Sequence, residues 1–247
     1  MVLRVMTPKQ AIQALIKQHR GRFSVELGID LSSGRPREIF RWFLASVLFG
    51  ARISESIVRK TFREFDTRGI VSPKTVLDTG WDGLVEVLDH GGYVRYDFKT
   101  ATKLLDLCRT LTENYGADLA TLHAAATDPK DLEQRLKALA KGIGEVTVNI
   151  FLREMRSIWE KADPLPSDLV VMAAKDSGIV PMDVKDRSQV LPLLMEAWKE
   201  SGMKNKDFPD FEATLVRAGI ELRRRNQRGS AAARIKCLPS IRIWDSQ

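Results

Sequence analysis

Gly142-Ile143-Gly144 sets one aliphatic residue between two glycines, and helical patterns lie on both sides of it. Before it, Leu132, Leu136 and Leu139 recur at i, i+4 and i+7. After it, an apolar-rich helix is expected from Glu145 to Trp159. So short a link turns one helix back on the other. Glycine permits the sharp turn, and without a Cβ it lets a phosphate approach the backbone. The second helix directs its free N–H groups and its positive dipole end toward the same point. Ile143 can tuck between the helices and brace the pair. Such a hairpin grips phosphate without reading bases. The same spacing also suits a plain glycine turn between packed helices.

The rest of the chain reads as helix with the same period. Pro36 opens a helix to about Phe49, whose apolar positions almost encircle it, so it is expected to be central and buried. Ser54, Ser72-Pro73, Asp97 and Asp128-Pro129 read as further helix starts. A short helix is expected from Trp81 to Leu88, broken by Gly91-Gly92, and Gly116 closes the helix after Asp97. Ala162 to Ser167 reads as a loop, because each proline disfavours helix at the residue before it. Helices resume at Asp168, around Leu191 to Lys199, and from Asp210 to Arg225. No stretch alternates at period two. The expected fold class is all-α.

Composition narrows the partners. Lys and Arg number 39 against 32 Asp and Glu, a net charge of +7 that favours a polyanion. Cys108 and Cys237 are too few for a four-cysteine zinc or iron–sulfur site. They also build no disulfide framework, which points to a reducing, cytoplasmic compartment. Met1 to Gln18 lacks a signal-peptide core and no long apolar run occurs, so no membrane partner is expected. His19, His90 and His123 are scattered, which gives no metal site. Trp42, Trp81, Trp159 and Trp198 fit helical apolar patterns and read as core, while Trp244 stays open.

The pattern L-x-x-L-x-x-G-I-G-x-x-T-x-N, from Leu136 to Asn149, resembles the helix-hairpin-helix of the endonuclease III superfamily of DNA glycosylases. Phe43 to Glu55 is similar to that family's early buried helix and the polar turn after it. Gly91-Gly92-Tyr93, followed by Lys99, looks like its G-x-Y…K-A segment. The likeness covers roughly Arg37 to Val180. It implies a six-helix domain at 36–150 that includes the hairpin. A second helical domain would be formed by 1–35 with 151–247, with double-stranded DNA meeting the cleft between them. A monomer is expected. No resident cofactor is expected, with a monovalent cation at the hairpin left open.

The departures from the family bear on chemistry. Bifunctional members carry a nucleophilic lysine where this chain has Val146, and an aliphatic side chain forms no Schiff base. Lys141 is a poor substitute, on the wrong side of the turn. The family's four-cysteine cluster near the C-terminus is missing, since only Cys237 lies there. For the family's catalytic aspartate the best match is Asp168, after Pro166-Ser167, with Asp163 as a rival because the preceding loop is longer. A carboxylate there can stabilise an oxocarbenium-like sugar and orient or deprotonate water; Asp is equally an ordinary helix cap. Arg52 lies where the family fills the gap left by a flipped base. Expected DNA contacts are Lys141, Gly142, Ile143, Gly144, Glu145 and Thr147 of the hairpin, with Arg52, Gly92, Tyr93 and Lys99. Tyr93, Arg95, Tyr96 and Lys99 form an aromatic–basic cluster, and Arg223 to Arg225 with Arg228 read as a solvated helix end. Two functions follow: a monofunctional DNA N-glycosylase, or a non-catalytic helix-hairpin-helix module that binds or scaffolds DNA.

Overall fold

Proline opens the helices that begin at Pro8, Pro36, Pro73 and Pro129, where its missing N–H would have had no intrahelical partner. The computed structural model describes residues 6–19 and 21–236, without side chains over 229–236. Its order is α1 (Pro8–Gln18), α2 (Phe23–Glu26), α3 (Pro36–Phe49), α4 (Glu55–Thr67), α5 (Pro73–Gly91) and α6 (Asp97–Tyr115). There follow α7 (Leu119–Ala125), α8 (Pro129–Ala138), α9 (Glu145–Met155), α10 (Asp168–Asp176), α11 (Arg187–Glu200) and α12 (Phe208–Lys236). Among the described residues there is no strand. The protein is all-α. None of these helices is long and apolar enough to cross a membrane.

Helix α3 is the central element. Trp42, Phe43, Ala45 and Leu48 are fully buried, as the near-circular apolar pattern of this segment requires. Trp42 Nε1 donates to the Phe151 carbonyl at 3.1 Å, and the Phe43 and Phe151 rings meet edge to face at 4.9 Å. These contacts lay the hairpin helix α9 along α3. At the end of α3, a Cβ on Gly50 would collide with Thr147 Oγ1, so glycine lets the start of α9 approach this closely.

The later helices pack around Trp198, which stacks on Phe211 at 5.1 Å, and their buried side chains are continuous with the rest of the core. There α12 crosses α10 so tightly that a Cβ on Gly219 would stand 2.8 Å from the Leu169 carbonyl carbon. Buried polar groups also join distant parts of the chain. Glu154 of α9 accepts from the Phe23 and Ser24 N–H groups at 2.9 and 3.0 Å, capping α2. Arg156 Nε donates to Glu212 at 2.6 Å, and Thr214 Oγ1 donates to the His19 carbonyl at 2.7 Å.

Several boundaries differ from the sequence expectations. The stretches read separately at Ser72-Pro73 and Trp81 to Leu88 form one span, α5, kinked at Gly80, whose φ is 69°. Asp97 is the first residue of α6 rather than its cap, which is Tyr96. Helix α9 stops at Met155, short of Trp159. Helix α12 continues to Lys236, so Arg223 to Arg225 lie within a helix and not at its end. Trp81 is half exposed, its Nε1 donating to Thr102 Oγ1 at 3.1 Å, whereas Trp42, Trp159 and Trp198 are buried. Cys237 and Trp244 lie outside the described residues.

Candidate functional site

The hairpin turn is built as an open helix start. Gly142 has φ 91°, a left-handed conformation that side chains other than glycine rarely adopt. Ile143 is buried, and its N–H donates back to the Ala140 carbonyl at 3.2 Å. Gly144 takes the N-cap position of α9 with no side-chain cap, so the first-turn N–H groups have no partner in their own helix. Nothing lies within 4 Å of where a Cβ on Gly144 would point. A side chain remote in sequence joins the turn. Lys103 of α6 brings its Cε within 3.1 Å, and its Nζ within 3.5 Å, of where a Cβ on Gly142 would stand. Burial pulls the Lys103 ammonium below its ordinary value, with no charged neighbour adding to the shift.

Beyond the turn, α9 leads into a cleft of about 940 Å³. Glu145, Val146 and Asn149 line it from α9, Arg52 from the turn after α3, and Asp168 from the start of α10. Five arginines line it (Arg52, Arg153, Arg187, Arg223 and Arg224) against three carboxylates, Glu55, Glu145 and Asp168. No lysine is among the described lining residues. Glu55 is engaged by Arg59 and, at 3.5 Å, by Arg217.

Asp168 and Asp163 have different surroundings. The helix cap is Ser167, whose hydroxyl accepts from the Val170 N–H, so capping leaves Asp168 free. Its side chain is 92% exposed, and Arg187 Nη2 stands 3.2 Å from one carboxylate oxygen. Arg187 Nε also donates to the Pro166 carbonyl at 3.1 Å, and Asn149 Nδ2 donates to the Leu165 carbonyl at 2.6 Å. The loop before Asp168 is thereby held from both sides. Asp163 is bound instead by Arg156 Nη1 at 2.5 Å and is not a lining residue of the cleft.

The expected contact residues separate into groups. The cleft brings together Arg52, Glu145 and Asp168. Lys141 and Lys99 are exposed but lie outside its lining, and Gly92 caps α5 with φ 86°. Tyr93 is corrected: it is fully buried, with its hydroxyl donating to the Leu48 carbonyl at 2.7 Å, and it cannot stack on a ligand. Thr147 is likewise buried against Gly50 and serves packing. The aromatics that do reach the surface near Lys99 are Phe98 and Trp81, 5.3 Å apart. Lys103, Arg187 and Arg153 were not singled out by sequence, since each meets the site from a distant element. No protein-family profile matches the chain, and no curated protein sequence does.

Proposed function

We propose that this protein is a monofunctional DNA N-glycosylase of the helix-hairpin-helix kind. Residues 36–150 and the lobe made by both chain ends would flank the cleft. The observation that carries the reading is the placement of Asp168, an exposed carboxylate that is not its helix's cap, in the same cleft as the open N-terminal turn of the hairpin helix. The hairpin and Lys103 would hold duplex phosphates, and the flipped nucleotide would enter the cleft. Arg52 stands at the cleft to occupy the vacated stack.

In the reaction, the C1′–N bond breaks and its electron pair leaves with the base. A water oxygen bonds to C1′, and the displaced water proton passes through Asp168 and solvent to the departing base. The carboxylate both faces the developing positive sugar and orients the water. A lyase step needs an amine nucleophile. Val146, 62% exposed, stands at the family's lysine position, and among the described residues the lining's cations are all arginines, which stay protonated.

Incubation with a panel of lesion-bearing duplexes tests this. Free base should be released from at least one, leaving a strand that is intact until hot alkali cleaves it. A panel bound but never hydrolysed would favour the non-catalytic DNA-binding module.

A further inference from the structure

Hydrolysis at Asp168 makes no use of one cation on the cleft wall. Arg153 is only 4% exposed, and its Nε has no hydrogen-bond partner. Glu154 and Glu212 lie near enough to favour its charge, while Arg156 and Arg217 oppose it. Both carboxylates are committed elsewhere, Glu154 to the Phe23 and Ser24 N–H groups and Glu212 to Arg156. Burying a guanidinium without a dedicated partner is costly. Its Nε is sealed from solvent, and Arg153 is among the residues that line the cleft, so a ligand there would meet the Nη end of the guanidinium.

The surroundings specify the ligand. The guanidinium sits 5.6 Å from the Phe23 ring centre, and Phe23 meets Phe49 edge-on at 5.7 Å. Both rings line the cleft with Arg153, as do Val216 and Ile220. Apolar walls suit a flat base better than a strongly hydrated phosphate. A guanidinium only donates, and its fork fits two adjacent acceptors. On a purine, O6 and N7 form such a pair. Adenine offers a donor in place of O6, and 8-oxoguanine carries a proton on N7. Hypoxanthine and xanthine keep both acceptors, and as mispaired bases they flip more cheaply than a paired guanine.

We propose that Arg153 reads the O6/N7 edge of a flipped 6-oxopurine, which makes deaminated purines the lesions this cleft accepts. The proposal rests on the glycosylase reading above. Its test compares affinities of the full chain for duplexes with one non-hydrolysable 2′-fluoroarabino nucleotide, by fluorescence anisotropy. The bases are hypoxanthine, 7-deazahypoxanthine, 8-oxoguanine and uracil, beside a lesion-free duplex. Binding is compared rather than cleavage, because loss of N7 also changes the leaving group. Hypoxanthine should bind about tenfold or more tightly than its 7-deaza analogue. Arg153→Met should abolish that difference and leave lesion-free affinity unchanged. Should that variant fail to fold, Arg153→Lys, which keeps the charge and loses the fork, should shrink the difference in its place. Equal affinity for hypoxanthine and its 7-deaza analogue would overturn the proposal. So would an equal loss on lesion-free DNA, which would make Arg153 a phosphate contact. Preference for uracil or 8-oxoguanine would overturn the proposal and leave the glycosylase reading standing, whereas no preference for any lesion would sink both.

Discussion

Lys103 and Gly144 divide the work of the hairpin, and each can be tested by one substitution. Lys103 brings a half-buried ammonium to the turn at Gly142, so Lys103→Gln should weaken duplex binding evenly across sequences. It should also reduce the slope of log K against log salt by about one; an unchanged slope would remove Lys103 from the DNA contact. Gly144→Ser adds a side chain into open space at an uncapped N-cap position. Serine there accepts from the first-turn N–H groups and competes with phosphate for them. Thermal stability should hold or rise while duplex affinity falls, by about tenfold if one phosphate contact is lost. Undiminished affinity would contradict the phosphate grip. The two glycines were legible in the sequence because turn chemistry is local. Lys103 was not, because it comes from another helix. Tyr93 misled for a related reason: a tyrosine amid basic residues reads as exposed, but a backbone acceptor at Leu48 lets its hydroxyl be buried.

Helix α10 carries Asp168, and α12 fixes where α10 sits. Gly219 lies against the Leu169 backbone, 3.0 Å from a Cβ to its Cα, and backbone cannot yield as a side-chain tip can. Gly219→Ala should therefore cost about 1–3 kcal/mol, read as a lower midpoint in thermal unfolding; an unchanged midpoint would show that the crossing relaxes freely. Helix starts are legible at Ser54, Ser72-Pro73 and Asp128-Pro129, where a capping residue or proline precedes a periodic run, and at Asp168, although the cap there is Ser167. Helix α1 carries the same kind of signal in Thr7-Pro8 and is absent from the sequence expectations all the same, whereas α2 has only four residues and α7 seven. Those runs are too short for periodicity to emerge, and tertiary contacts such as the Glu154 cap on α2 sustain them. The arginine run at 223–225 reads as a helix terminus, yet α12 continues to Lys236 because arginine is itself a good helix former.

The whole chain is basic, +7, and its cleft repeats that balance with five arginines against three carboxylates. Nothing local to Arg223 and Arg224 signals that they join this lining, because only the packing of α12 turns them there. With no lysine among the described lining residues, borohydride should trap no covalent protein–DNA adduct during turnover; an adduct that vanishes with Lys141→Ala would restore the lyase. The central claim is that Asp168 drives base release. On a lesion found to be a substrate, single-turnover release should fall by about 10²-fold or more in Asp168→Asn, with lesion binding and unfolding midpoint nearly unchanged. Asp163→Asn, which alters a carboxylate held by Arg156 outside the cleft lining, should retain most activity. Full activity in Asp168→Asn, or its loss in Asp163→Asn alone, would contradict the account.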